Sequence, residues 1–516
     1  MVLCRIFRKN IFALLILFLA LAPWAQAQNN SRKYNRYNNR KDLSYRSGPK
    51  KSSSLSSGDL LYLLRNGENH FFKLTEKNLY QNNFWRYGRL FSWTSARKEA
   101  ARYYSGKGRK SVITFANKKF AEAILYFEKG KFSRLYVSLF NEGDETGMTY
   151  TRNSFNRFLE QLENNITLLT GHKPTVGKQK IKRHESIHFY SWQLPEYTLK
   201  VIWSGGKNRQ GGAIYCYAEL SGANSDSMQD HSYAERAGNE KTKGKSPIKA
   251  SKVKKGELIK NVVKKDNKVY IPNIPMVDQG PKGYCVPAVL ERVMGYYGVI
   301  LNQHILASLM KSSASGGTSL NNMYLALKQT SKKLNINVRR QYEYFRSVSD
   351  LEKFVSKYNS IAKKEKGEKI RIEKFGERID LEKTFLAVNP EIGRKAVLQL
   401  KKRGFEKSFC GFIKEKIDAG IPVIWAVNLA LSPEKNVGRN GHLRLITGYG
   451  TEERLAAKDP RQNRGRKNSS GKTSSSGEIS CIIFSDTWGR GHEAKIMDAS
   501  DAWAITTGLY LTEPDN

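Results

Sequence analysis

The chain has 516 residues, 39% of them hydrophobic and 11% aromatic, which is too long for one ordinary core and apolar enough to fill several. Its 88 lysines and arginines outnumber 47 acidic residues, giving a net charge of +41. Its five cysteines lack paired CxxC spacing, which excludes a zinc ribbon and a disulfide framework.

In chain order, Arg5, Arg8 and Lys9 precede an apolar run from Ile11 to Ala22 and then Ala25-Gln26-Ala27. A basic start, a short apolar stretch and small residues at −3 and −1 read as a secretory signal peptide over 1–27, with cleavage after Ala27. The run falls short of the ~20 residues of a spanning helix. No later stretch is apolar enough to cross a bilayer, so the mature chain is expected to lack a transmembrane segment and to be exported, periplasmic or extracellular. Residues 28–57 are basic, poor in aliphatics and expected to be disordered. An N-terminal α+β domain of undisclosed function is expected over 58–221. Its signals are a hairpin turning at Lys129-Gly130-Lys131, a helical spacing of Phe155, Leu159, Leu162, Ile166 and Leu169, and a second hairpin of 198–203 with 212–220. A Lys/Ser-rich linker follows over 222–268, then a second folded unit over 269–516 with a flexible insertion at 453–478. Outside a cell the basic segments favour an anionic surface, either cell wall or lipid. No nucleic-acid recognition element stands out, and no specific nucleic-acid partner is expected.

Two motif matches carry little. His184-Glu185-Ser186-Ile187-His188 fits H-E-x-x-H, but that zinc pattern needs a helix and a third ligand, and the following stretch is aromatic and β-rich. Gly465 to Thr473 has five residues between its glycines where a P-loop has four, and no strand precedes it. No metal or other cofactor is expected.

The stretch Ile274 to Ala288 is more informative. Gly280, Pro281 and Gly283 read as a loop, and apolar residues at 286, 289, 290, 293, 294 and 297 mark one face of a helix ending at Gly298. Cys285 therefore falls at a helix N-terminus, where unpaired N–H groups and the helix dipole favour a thiolate. Gln279 can return its amide across the loop and, with the Cys285 N–H, supply two donors to an oxyanion. A thiolate nucleophile needs a base and a third group to orient it. Downstream, 421–429 reads as a buried strand, Asn440-Gly441-His442 leads into another, and Cys481-Ile482-Ile483-Phe484 ends in Ser485-Asp486-Thr487-Trp488-Gly489. His442 is the candidate base, with Asp486 beside it to accept its Nδ1–H. His304 and His492 compete as base, Asp459 competes as orienter, and Cys216, Cys410 and Cys481 read as core residues.

The order Gln279, Cys285, His442, Asp486 followed by Trp488-Gly489 resembles the papain-like pattern, and His442 follows Cys285 by roughly 160 residues, near the ~130–150 of papain-type enzymes. The Cys285-Val286-Pro287-Ala288 context and Tyr296-Tyr297-Gly298 are more similar to the double-glycine leader peptidases, cysteine peptidase family thirty-nine. The resemblance covers about 269–516 and implies a papain-like α+β fold, with a separate α+β domain before it. It also implies Cys285 as nucleophile, His442 as base and later acid, Asp486 as orienter, Gln279 as oxyanion donor and Trp488 as a shield over the His–Asp bond. The chain departs from those peptidases in lacking transporter spans and an ATPase, so Gly-Gly leader processing does not carry over. It also has Val286 where they carry Gly, and a long insertion before Asp486. The expected activity is an exported cysteine peptidase acting on a peptide or protein substrate. The alternatives are an inactive papain-fold binding or scaffold protein, and a non-proteolytic amidase or acyl transferase on cell-wall peptide.

Overall fold

The computed structural model describes residues 57–65, 71–105, 113–141, 151–182, 185–204, 215–222, 251–280, 282–299, 301, 303–312, 317–345, 347–401, 405–435, 437–451 and 478–515. The expected signal peptide, nearly all of the basic segment 28–57, most of the linker, nearly all of the 453–478 insertion, Asp459, His184 and the Gly465–Thr473 run lie outside them. The fold is mixed helix and sheet, and among the described residues no helix is long and apolar enough to cross a membrane.

Strands β1 (Ser92–Trp93), β2 (Ala100–Tyr104), β3 (Glu122–Glu128), β4 (Lys131–Asn141), β5 (Thr175–Lys182), β6 (Glu185–Gln193), β7 (Tyr197–Ser204) and β8 (Tyr215–Gly222) form one antiparallel sheet ordered β1-β2-β3-β4-β8-β7-β6-β5. The β3–β4 turn at Lys129-Gly130 places both residues at positive φ, which Gly130 adopts without steric cost. Helix α1 (Arg152–Thr170) starts at Thr151, whose hydroxyl accepts from the Ser154 N–H, and it buries Phe155, Phe158, Leu159, Leu162 and Ile166. Trp192 Nε1 donates to Thr167 Oγ1 of α1 at 3.4 Å, which fixes the helix on one face of the sheet. The opposite face carries Ala100, Ile124, Tyr136, Phe189, Ile202, Tyr215 and Tyr217, packed against Ile305 of the C-terminal half.

The second sheet contains β9 (Val263–Lys265), β10 (Lys268–Tyr270), β11 (Ile336–Glu343), β14 (Val423–Asn428), β15 (Gly441–Thr451), β16 (Ile479–Ser485), β17 (Lys495–Asp498) and β18 (Thr506–Pro514); β12 (Lys374–Phe375) and β13 (Arg378–Ile379) make a separate two-stranded hairpin. Its main path runs β11-β18-β14-β15-β10-β9, with β16 on β15 and β17 on β16, all antiparallel. Helix α2 (Cys285–Tyr296) packs Val286, Val289, Leu290, Val293 and Met294 into a core shared with β14 and β15. Truncating one of these, as in Leu290→Ala, costs about 2–5 kcal/mol through lost transfer energy and the cavity left behind. Gly298 at φ 71 turns the chain out of α2, and the Val299 N–H returns to the Met294 carbonyl at 2.8 Å. Helix α3 (Gln303–Leu309) follows and meets the first sheet through Ile305.

Two sequence expectations change here. Residues 251–268 belong to the fold, although their composition reads as linker. Leu258 is buried in the core, the Ser251 hydroxyl donates to the Tyr297 carbonyl at 2.8 Å, and β10 pairs with β15. Nor does the N-terminal domain stand apart: Ser56–Asn516 is one compact unit. Arg102 of β2, Glu122 of β3, and Lys282 and His304 from the C-terminal half are buried together where the two halves meet. Separating the halves would expose this cluster and the apolar surface around it, so they stay joined.

Candidate active site

Cys285 is the first residue of α2. Its helix has no acidic residue in the first turn and no side-chain cap on Tyr284, so nothing anionic competes for the N-terminal N–H groups. Pro287 removes one of those donors at no cost to the helix. The sulfur is half-buried. Burial pushes the thiol pKa up, but the hydrogen bond and charge of His442, with the Leu443 and Val286 N–H groups, more than reverse this and leave it below its ordinary value. Cys216, Cys410 and Cys481 move the opposite way: burial raises all three, Cys410 to about 12. Among the described cysteines with a shifted thiol, only Cys285 is shifted toward the thiolate.

His442 opens β15, one residue after Gly441, and its register partner on β14 is Val427. Its Nε2 lies 2.6 Å from Asp486 Oδ1. The expected partner of Asp486 was Nδ1, so the ring is turned the other way and Nδ1 is left for the cysteine. The spacing of residues along a strand fixes which face the ring occupies but not its χ2, which explains the difference. Burial alone would lower the His442 pKa. Bonds to Asp486 and Cys285 overcome that and raise it to about 9. A lowered thiol beside a raised imidazole is the signature of a thiolate–imidazolium pair.

Asp486 directly follows β16 and is fully buried. Burial would raise its carboxyl; the bond to His442, the charges of His442 and Arg444, and the Thr487 N–H at 2.8 Å hold it below the usual range. Arg444 Nε donates to Asp486 Oδ2 at 2.9 Å. Arg444 is two residues after His442 on the same strand, so both project from one face of β15 toward the carboxylate. Arg292 from α2 joins this end of the sheet to the nucleophile's helix. Its guanidinium donates to the Asp486 carbonyl at 3.2 Å, the Ser485 hydroxyl at 2.7 Å and the Pro275 carbonyl at 2.8 Å. Trp488 stacks on the His442 ring, centroids 4.7 Å apart and planes 23° from parallel, and covers one face of the imidazole.

Gln279 is buried in the loop before α2. Thr487 grips it twice: the Gln279 N–H donates to the Thr487 carbonyl at 2.8 Å, and the Thr487 hydroxyl donates to Gln279 Oε1 at 2.6 Å. The second bond fixes which end of the amide is the donor. Nε2 gives one hydrogen to the Lys282 carbonyl at 2.9 Å and retains another.

The structure thus brings Cys285, His442, Asp486 and Gln279 into one network. The competing histidines lie elsewhere in it: His304 is buried on Glu122, and His492 packs edge-on to Trp488. Glu185 and His188 lie on β6, a strand, which removes the helical face that an H-E-x-x-H zinc site requires. The sequence reading missed Thr487, Arg444 and Arg292. Thr487 sits inside the quoted Asp-Thr-Trp-Gly run, and Arg444 is the lone charge within an apolar strand, so both left a trace.

No protein-family model matches this chain, and no curated protein matches it.

Proposed function

We propose that the chain is an exported cysteine peptidase with a papain-like C-terminal fold, similar to the double-glycine leader peptidases. The observation that carries this reading is the hydrogen-bonded series Cys285–His442–Asp486, with the cysteine at a helix start and the carboxylate buried. The N-terminal signal-like sequence supports export.

In this reading the Cys285 thiolate attacks the carbonyl carbon of a peptide bond. The carbonyl oxygen becomes an oxyanion, and the Cys285 N–H and the remaining Gln279 Nε2 hydrogen stabilise it. The His442 imidazolium gives its Nδ1 proton to the departing amine as the C–N bond breaks, leaving a thioester. Neutral His442 then takes a proton from water, whose oxygen attacks the thioester. The C–S bond breaks, the acid leaves and the ion pair is restored. Asp486 holds the imidazole through Nε2 throughout, and Arg444 keeps that carboxylate ionised and oriented.

The deciding experiment is iodoacetamide alkylation with peptide mapping across pH, for the mature protein and for His442→Ala. Cys285 should react far faster than Cys216, Cys410 and Cys481 near pH 6 and lose that advantage without His442. Ordinary thiol behaviour of Cys285 in the wild type would end the reading.

A further inference from the structure

We propose that Arg102, reaching from the N-terminal sheet, is a positioning residue for the Gln279 oxyanion donor, so that the N-terminal half completes the active site. This rests on the peptidase reading above.

Arg102 Nη1 donates to the Asp278 carbonyl at 2.6 Å and pairs with Asp278 Oδ1 at 3.1 Å. The same Oδ1 accepts the Gly280 N–H at 2.7 Å. One guanidinium therefore holds both the main chain entering Gln279 and the carboxylate that closes the turn after it. Gln303 Nε2 adds a second donor to the Asp278 carbonyl at 3.1 Å. Gly280 sits at φ 67, and a Cβ there would lie 2.6 Å from the Arg102 guanidinium. Asp278 rests equally closely on Gly489, where a Cβ would come within 2.8 Å of Oδ2. Glu122 fixes Arg102 from behind: the two are hydrogen-bonded, and Lys282 and His304 share the same buried carboxylate. Thr487 grips Gln279 from the catalytic sheet and Arg102 grips its neighbour from the other sheet. The described residues of this loop belong to no helix or strand that could supply this, and a displacement of about 1 Å at an oxyanion donor removes much of its effect.

The test compares two reactions of Cys285 in the full mature chain, each corrected for the Cys285→Ser rate. With p-nitrophenyl acetate, the sulfur bonds to the acetyl carbon, an oxyanion develops, and p-nitrophenolate leaves with the C–O electron pair. Iodoacetamide alkylates the sulfur at a saturated carbon and forms no oxyanion. Gln279→Ala should slow acylation by about 10²-fold, as expected for one oxyanion donor, and Arg102→Ala by about tenfold. The double variant should match Gln279→Ala, because Arg102 acts through that amide. Alkylation rate and its pH profile should stay at wild-type values in all three. A multiplicative loss in the double variant, acylation and alkylation falling together, or wild-type acylation in Arg102→Ala would each overturn the proposal. Thermal melting is recorded alongside. If Arg102→Ala does not fold, Arg102→Lys decides, since a lysine cannot serve Glu122 and both Asp278 oxygens. A three- to tenfold acylation loss there supports the proposal, and none overturns it. Failure of the peptidase reading looks different: wild-type Cys285 would itself alkylate as an ordinary thiol.

Discussion

Two buried carboxylates in this molecule each hold a histidine through Nε2: Asp486 holds His442 at 2.6 Å, and Glu122 holds His304 at 2.8 Å. Each also pairs with an arginine, Arg444 in one case and Arg102 in the other. They differ in what else packs on the imidazole. His442 faces a cysteine at a helix start. His304 lies flat against Tyr136, centroids 5.3 Å apart, and edge-on to Tyr284. A His–carboxylate pair is in itself a way to bury charge. It becomes a general base only where a nucleophile with a stabilised anion meets the second ring nitrogen.

The largest expected effects sharpen that contrast. On the proposed peptidase reading, His442→Ala should lower peptide hydrolysis by about 10⁴-fold, the scale of losing one member of a catalytic triad, and should abolish the rapid alkylation of Cys285 expected near pH 6. His304→Ala should leave that alkylation in place and instead lower the melting temperature. Loss of the Cys285 advantage in a folded His304→Ala protein would break the distinction between the two pairs.

Asp486→Asn comes next, with a loss of about 10²-fold to 10⁴-fold through misorientation of His442. Its diagnostic is the pH profile. In the proposed peptidase reading the reactive ion pair spans the range between the lowered Cys285 pKa and the His442 value near 9, so wild-type acylation should decline as pH rises through about 9. Without the carboxylate that alkaline limb should move to lower pH. The linked stability follows the same sign. A raised histidine contributes stability that is complete below its unfolded value of about 6.5 and is lost as pH rises through about 9.

The Glu122 cluster should show itself in stability. Burial pushes the Glu122 carboxyl up, and Arg102, Lys282 and His304 more than reverse it, holding it well below the usual range. Glu122→Gln leaves buried cations without their anion and should cost about 3 kcal/mol in denaturant unfolding. Since the folded pKa is depressed, the wild-type contribution is present above about pH 4.3 and disappears as pH falls through the folded value, so the gap between the two proteins should close in acid.

Much of the site could be read from the sequence because its parts are local. A periodic helix after a Gly/Pro loop places Cys285, and a short motif at the end of an apolar strand places Asp486. What could not be read is tertiary. Arg102 and Glu122 lie in strands, where a charged residue ordinarily marks the solvent face; here that face meets the other half of the chain. The same blindness hid the joint between the two sheets. Residues 251–268 looked like linker because scattered apolar residues such as Val253 and Leu258 follow no period, although Leu258 is a core residue. The ring orientation of His442 depends on which neighbour claims each nitrogen, and no spacing records that.

The smallest predicted effect tests where the two halves are held together. At the rim, Glu493 Oε1 accepts the Ala96 N–H at 2.7 Å and Oε2 accepts the Gly491 N–H at 2.7 Å, both in exposed positions. Water can replace either bond when the side chain is removed, so Glu493→Ala should change unfolding free energy by no more than about 0.5 kcal/mol. It should also leave Cys285 alkylation untouched, because the contact bypasses the Asp278–Gly280 turn. A loss comparable with that of Glu122→Gln would move the main joint from the buried charge cluster to this rim. The Arg102 cluster would then be a passenger in an interface held elsewhere.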